Sequence, residues 1–153
     1  MSTTEEITRV LNGFGLHADT HRWAKFEALL APTVTVDYTS LVGGTAHAES
    51  ASAFVERWKK LLPAFTCVQH LITNHLIEAD GNSATAETQV ATLHTLKDPK
   101  LGGNDAWTFG GRYDFRLKRI DGHWRIEAVK LTVTRQSGNL DLMKHAEARA
   151  ASA

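Results

Sequence analysis

Polar and apolar residues alternate most regularly in the stretch from Trp107 to Leu117. Its odd positions are aromatic, aliphatic or glycine, whereas the even positions from 112 onward are charged. This period of two predicts a long β-strand with one buried face. Asp121-Gly122 then turns the chain into a second strand, WRIEAVKLTVTR, whose apolar positions switch from even to odd near Ala128. A phase switch of this kind predicts a β-bulge, which bends a sheet.

The first 62 residues instead repeat their apolar positions every three or four residues, which predicts three helices. The first begins at a capping box of Thr3 with Glu6 and ends near Asp19-Thr20. The second ends at Pro32, and the third spans positions 50–62. A short β-branched strand, TVTVDYT, lies between the second and third helices.

The stretch Thr66–Lys97 reads as a β-hairpin around Asp80-Gly81-Asn82, with one histidine on each strand. An odd-length loop would set His70 directly across from His94, on one face of the pair. An even-length loop would set His70 against Leu93 and send the two imidazoles to opposite faces. The even positions of the second strand are the more apolar ones, which favours an inward His94, but the first strand does not discriminate. Two imidazoles that face one cavity are therefore a hypothesis, which we base on the odd-length loop.

Helices followed by long antiparallel strands with a bulge predict an α+β fold. We expect three N-terminal helices packed in a strongly curved antiparallel sheet, with a pocket lined by the inner faces of the strands. One domain should span residues 1–153, with a core of about 5–135 and a C-terminal tail of 136–153. The Ala-rich tail from Asn139 onward predicts a final helix.

Composition excludes several classes of function. Lys and Arg number 17, as do Asp and Glu, so no net charge attracts nucleic acid or an anionic membrane surface. A single cysteine excludes an internal disulfide. No apolar run approaches the ~20 residues that span a bilayer, and MSTTEEITRV lacks the pattern of a signal peptide. We expect a cytoplasmic protein without membrane or nucleic-acid partners.

A few polar residues could carry chemistry. Asp19 is either the N-cap of the second helix or a carboxylate that orients an imidazole. Tyr38 and Tyr113 each have two interpretations. The phenol either points into water or packs in the core, or it donates a hydrogen bond to a carbonyl oxygen that becomes an enolate. His17 and His21 have the i, i+4 spacing of helical metal ligands, but the break at Asp19 disrupts that geometry, so we predict no metal site.

Several of these segments, in this order, resemble the motifs of the SnoaL-like, nuclear-transport-factor-type cone fold, and within it the scytalone dehydratase group. The segment DTHRW at 19–23 resembles D-S-x-D-W, and APT with VDYTS at 31–40 resembles A-P-T followed by I-D-Y-R-S. Gln69-His70 resembles the T-Q-H strand, and IDGHW at 120–124 resembles the I-D-G-x-W turn. The chain departs from the group at Ala18, where the family has a tyrosine, and at Gly111 and Tyr113, where it has serine and asparagine.

The resemblance implies a cone-shaped α+β barrel whose acid–base set is Asp19, His70 and His94, with Tyr38 orienting a carbonyl. It also implies an enzyme without cofactors and a homo-oligomer, for which a trimer is preferred to a dimer. We predict that Asp19 hydrogen-bonds to His94 in preference to His70. The residues predicted to contact a small-molecule substrate are Leu41, Phe54, Trp107 and Tyr113.

The predicted function is a dehydratase-like lyase that acts on a small cyclic or aromatic hydroxy-ketone. His70 would remove a proton and return one to the leaving hydroxyl, while Tyr38 would steady the oxyanion. Two alternatives stay open. The same residues would serve a polyketide cyclase or a ketone isomerase, and the fold also hosts non-catalytic small-molecule-binding proteins.

Overall fold

The structure, a computed structural model, describes residues 1–153. The helices are α1 (Thr3–Asp19), α2 (Trp23–Glu27), α3 (Thr39–Val42), α4 (Ala51–Leu61) and α5 (Leu142–Ala151). The strands are β1 (Leu30–Asp37), β2 (His47–Ser50), β3 (Cys67–Asp80), β4 (Ser83–Thr95), β5 (Ala106–Ile120) and β6 (His123–Gly138). Short 3-10 turns at Leu62–Ala64 and Pro99–Leu101 join the longer elements. None of the helices combines the length and hydrophobicity that a bilayer crossing requires.

The six strands form one curved, unclosed sheet in the order β2-β1-β6-β5-β4-β3, which confirms the predicted α+β fold. Five neighbouring pairs are made by six strands, and four of these pairs are antiparallel. The β1–β6 pair is parallel, which differs from the purely antiparallel sheet that we predicted. Parallel neighbours need a long crossover connection, and the chain between β1 and β6 is long enough to supply it.

The core lies between the helices and the concave face of this sheet. Aromatic rings from three helices meet there: Phe14 of α1 contacts Phe26 of α2 at 5.2 Å between ring centroids, and Trp58 of α4 at 5.5 Å. Phe14 also packs edge-on against Phe115 of β5 at 5.3 Å. All four are buried, so the helical and alternating apolar faces seen in the sequence cover each other.

Two bulges bend the β5–β6 pair. Leu117 pairs with Ile126 while Arg116 pairs with Ala128, so one residue of β6 is left over at position 127. This confirms the bulge predicted from the phase switch. A second bulge follows Gly110, and a side chain at Gly111 would collide there with a backbone carbonyl of β6.

The capping box of α1 begins one residue earlier than predicted. The capping box consists of Ser2 and Glu5, because the Ser2 hydroxyl accepts from the Glu5 N–H while the Glu5 carboxylate accepts from the Ser2 N–H. The predicted box of Thr3 with Glu6 is therefore wrong by one residue. The helix α3 and the strand β2 were not predicted, since four residues carry too little periodicity to be seen. The predicted C-terminal helix is confirmed as α5.

The β3–β4 hairpin closes with a two-residue turn, so Asp80 pairs with Ser83 and the predicted odd-length loop is wrong. An even-length loop would have separated the two histidines. A bulge between Thr73 and Leu76, with Asn74 at φ 58°, adds one residue to β3 and shifts the register back. At the open end of the hairpin, His70 and His94 therefore lie on the same face of the sheet, as the hypothesis required.

Beyond the bulge, His70 pairs with Thr92 and His94 pairs with Val68. The two histidines are therefore diagonal neighbours and do not lie directly opposite each other, as we had predicted. They share the inner face of the sheet, with their ring centroids 6.2 Å apart. The hypothesis of two imidazoles on one face is confirmed, by a different register from the one that suggested it.

Candidate active site

A cavity of about 350 Å³ opens between the inner face of the sheet and helices α3, α4 and α5. Most of its walls are apolar or aromatic, and a few polar groups converge on it, as in ligand-binding cavities generally. Of the four residues predicted to contact substrate, Leu41, Trp107 and Tyr113 line this cavity. The other walls are contributed by residues that include Tyr38, Trp58, Phe65, His70, His94, Phe109 and Met143.

Phe54 does not line the cavity, so its predicted contact with substrate is wrong. Its side chain is 0% exposed and packs against Phe26 at 6.0 Å and Trp58 at 5.1 Å between ring centroids. Helix α4 directs Phe54 into the core, and Trp58, one turn further along the same face, reaches the cavity wall. The helical spacing of these two residues was visible in the sequence, but their depth was not.

Asp19 binds the backbone and the side chain of His70 together. Its Oδ2 accepts the His70 backbone N–H at 2.7 Å, and its Oδ1 lies 2.6 Å from His70 Nδ1. Both side chains are largely buried, at 11% and 5% exposure. Because a carboxylate oxygen accepts, the ring donates from Nδ1, and in the neutral imidazole Nε2 is then the nitrogen with a free lone pair. His70 also lines the cavity.

Asp19 is the last residue of α1 and not the N-cap of α2, which begins after Arg22. The helix-capping interpretation of Asp19 is therefore wrong. The preferred pairing of Asp19 with His94 is also wrong, because the carboxylate contacts His70.

A glycine brings α1 close enough to β3 for this contact. Gly15 lies one turn before Asp19, and a Cβ at Gly15 would sit 3.2 Å from His70 Cβ and 3.4 Å from the His70 carbonyl oxygen. Contacts this short leave no room for a larger residue without a shift of the helix. The close approach of α1 therefore sets the geometry of the Asp19–His70 pair.

His94 is held in an aromatic enclosure. Its ring lies 4.5 Å from Trp107, 5.0 Å from Phe65 and 5.8 Å from Phe109 between centroids, and the residue is 4% exposed. Burial, followed by the nearby charge of His70, lowers the pKa of His94 from 6.5 to about 3. His94 is therefore a neutral imidazole at physiological pH, and its buried Nδ1 has no hydrogen-bond partner in the protein.

Two phenols complete the polar groups of the cavity. The hydroxyl oxygens of Tyr38 and Tyr113 lie 3.1 Å apart and form a hydrogen bond. Burial raises the pKa of Tyr38 well above 10, and the pKa of Tyr113 is raised as well, chiefly by burial. Both hydroxyls therefore keep their protons and act as hydrogen-bond donors throughout the physiological range.

Helix α3 holds Tyr38 at the cavity. Asp37 accepts from the Thr39 N–H at 3.1 Å and from its hydroxyl at 2.7 Å, which closes the first turn after Tyr38. Ser40 Oγ donates to the Leu131 carbonyl of β6 at 2.7 Å. These bonds tie α3 to β6 and so fix the phenol relative to the sheet.

The site thus combines an oriented imidazole, a neutral imidazole and a pair of phenol donors around one apolar cavity. Nowhere do three or more His, Cys, Asp or Glu side chains come together as metal ligands would. Sequence reasoning missed the walls formed by Trp58, Phe65 and Phe109, although Phe109 belongs to the regular alternation of β5.

Comparison with known proteins matches residues 1–130 to the model of a SnoaL-like domain. The dehydratase cfoI of Aspergillus candidus is 29% identical over 135 residues, which cover 80% of this chain and 77% of that protein. A dehydratase of Pestalotiopsis microspora is 25% identical over 134 residues, covering 82% of each. The crystal structure of the Kfla4162 protein from Kribbella flavida has a TM-score of 0.85 at 26% identity and covers 92% of this chain and 96% of its own.

Proposed function

The chain belongs to the SnoaL-like domain family, and we propose that it is a dehydratase-type lyase whose base is His70, oriented by Asp19. The two relatives named dehydratases support this class of reaction. We propose that the substrate is a small cyclic or aromatic ketone with a hydroxyl group beta to the carbonyl. A cavity with aromatic walls suits such a ring, and a ketone supplies the acidified C–H bond that an imidazole base requires.

The first step is removal of the proton alpha to the carbonyl by His70 Nε2. The electron pair of the broken C–H bond moves toward the carbonyl oxygen, which becomes an enolate oxygen. Tyr38 donates a hydrogen bond to that oxygen, where the negative charge develops. The imidazolium formed on His70 is stabilised by the Asp19 carboxylate, which lies 2.6 Å from Nδ1.

The second step expels the beta hydroxyl. The enolate electron pair forms the new C=C bond as the C–O bond breaks, and His70 Nε2–H returns its proton to the leaving oxygen. The products are an unsaturated ketone and water, and the enzyme regains its starting protonation state. His94, which is neutral, offers a hydrogen bond to the substrate and is not the proton donor.

The observation that carries this proposal is the pair of hydrogen bonds that Asp19 accepts from the backbone N–H and the ring Nδ1 of His70, which fixes both the orientation of the ring and its tautomer. A histidine that merely filled the core would not need a carboxylate at 2.6 Å, and burying that carboxylate costs free energy unless it is fully hydrogen-bonded.

A panel of cyclic and aromatic beta-hydroxy ketones, incubated with the protein and analysed by mass for loss of water, tests the reaction. Asp19→Asn is the sharpest variant. The amide oxygen would accept the His70 backbone N–H, and its NH₂ would donate to Nδ1, which moves the ring proton to Nε2 and removes the base. We expect turnover to fall about 10²–10⁴-fold, which is roughly 2.7–5.4 kcal/mol of barrier.

The matched control is Asp114→Asn, which neutralises a carboxylate that pairs with Arg112 outside the cavity and should leave turnover unchanged. Near-normal turnover of Asp19→Asn, with intact folding, would contradict the proposed role of the dyad. A panel member that cyclises or moves its double bond without losing water would replace the dehydratase by the cyclase or isomerase alternative.

A further inference from the structure

The hydrogen bond between Tyr38 and Tyr113 uses only one of the two phenol protons. Each hydroxyl is the other's sole hydrogen-bond partner among the protein's side chains and backbone groups. One O–H donates across the 3.1 Å gap, and the second O–H proton has no protein acceptor. Because both residues line the cavity, the second proton is available to an acceptor atom of a ligand bound there.

The direction of the bond follows from the burial of the two residues. Tyr113 is 1% exposed, whereas Tyr38 is half-buried at the start of α3. If Tyr38 donated, the free proton would belong to Tyr113, the more deeply buried residue, and an unsatisfied buried donor costs about 1–3 kcal/mol. The arrangement in which Tyr113 donates leaves the free proton on Tyr38, the more exposed residue of the two.

We infer that Tyr113 is a positioning residue that donates to Tyr38 and thereby makes Tyr38 a stronger donor to a carbonyl oxygen in the cavity. A hydroxyl that accepts one hydrogen bond becomes more polarised as a donor in the next, since bonds in a chain reinforce one another. This inference rests on the proposed function, because it assigns the acceptor as the carbonyl of the substrate. It extends that function by a residue that does not touch the substrate oxygen itself.

The surroundings hold both rings in place. Tyr113 packs edge-on against Phe14 at 5.7 Å, and Tyr38 packs against Trp58 at 6.0 Å. Trp58 also stacks on His70, with 6.0 Å between centroids and 13° between planes. The same tryptophan therefore contacts both the proposed donor and the proposed base, and so fixes their relative positions.

The probe for this inference is α-tetralone, a bicyclic aryl ketone with no leaving group, carrying an isotope-labelled carbonyl carbon. Quenching of tryptophan fluorescence gives its Kd, and infrared difference spectra give its carbonyl stretching frequency, which falls when the oxygen accepts a hydrogen bond. The variants are Tyr38→Phe, Tyr113→Phe and the double variant. Thr88→Val is the matched control, because it also removes one buried hydroxyl but lies outside the cavity.

We expect the wild-type protein to lower the carbonyl frequency relative to its value in an apolar solvent, and Tyr38→Phe to abolish that shift. Loss of this hydrogen bond should weaken binding about 2- to 13-fold, the factor that corresponds to a net neutral hydrogen bond. Tyr113→Phe should give an intermediate frequency and a smaller loss of affinity. The double variant should match Tyr38→Phe, and Thr88→Val should match the wild type.

The inference is overturned if Tyr113→Phe keeps the wild-type frequency, or if its effect is equally large in the Tyr38→Phe background. It is also overturned if the wild-type protein neither binds nor shifts the probe. A normal infrared result together with no loss of water from any hydroxy-ketone would instead sustain the tyrosine pair and defeat the proposed dehydratase. The two failures are thus distinguishable.

Discussion

The neutral state of His94 makes a prediction that needs no substrate. The folded protein keeps this imidazole unprotonated until the pH falls to about 3, whereas an unfolded chain protonates it near 6.5. Between these two values the unfolded state binds more protons than the folded state. Stability must therefore fall as the pH is lowered through this window. His94→Gln removes the titrating group while keeping a polar side chain of similar size.

The expected loss of stability follows from the lowered pKa of His94. Each pKa unit corresponds to about 1.36 kcal/mol, so lowering the pH from about 7.5 to about 4.5 should cost the folded state about 2.7 kcal/mol through His94 alone. His17 and His75, whose pKa values are also lowered by burial, add to the total fall. Both histidines are present in the variant, so the difference between wild type and His94→Gln isolates the contribution of His94.

The assay is urea unfolding followed by tryptophan fluorescence across this pH range, at constant protein concentration. The difference in unfolding free energy between wild type and His94→Gln should change by about 2.7 kcal/mol over the range, in favour of the variant at low pH. Val90→Ala, a buried substitution on the same strand, should lower stability equally at every pH. Parallel curves for wild type and His94→Gln would show that the pKa of His94 is not lowered in the folded protein.

The remaining predictions concern the helix contact and the oligomer. Gly15→Ala should gain about 1 kcal/mol of helix propensity, yet lower turnover about 10-fold, because a Cβ 3.2 Å from His70 pushes α1 away from β3. Gly13→Ala is its control, since its Cβ would meet only flexible side-chain ends, and unchanged turnover in Gly15→Ala would contradict the positioning argument. We propose a homo-oligomer, a trimer ahead of a dimer, because Leu71 and Leu93 are 53% and 38% exposed on the outer face of the hairpin. Light scattering at micromolar concentration should give the oligomeric mass, and Leu71→Lys should give a monomer; a monomeric wild type would end the proposal.

The periodic elements could be predicted from the sequence because their signals are local. The alternation of β5 places Tyr113 on a buried face without any knowledge of its neighbours, and the phase switch near Ala128 reports a bulge that is internal to β6. Pocket-lining positions on β5 follow from the same alternation. How deeply a side chain lies below the cavity wall does not follow, because periodicity shows which face of an element is buried and not which neighbour covers it. The predicted contact of Phe54 with substrate is wrong for this reason.

The register of the β3–β4 hairpin could not be predicted from the local sequence pattern. Turn length and strand patterning gave the correct shared face for His70 and His94, but through a loop that the chain does not have. The bulge at Asn74 decides the outcome, and asparagine tolerates positive φ at many kinds of site, so its presence in the sequence does not identify a bulge.

The α+β class, the long strands and the polar residues that could act in a pocket all follow from local sequence patterns. The pairing among those residues was decided by tertiary structure alone. Asp19 and His70 are 51 positions apart, and they meet because Gly15 lets α1 lie directly against β3. His94, with the same side chain as His70, is neutral and lacks a partner at Nδ1 because three aromatic rings enclose it. The two imidazoles differ because their burial and their hydrogen-bond partners, which only the folded chain supplies, are different.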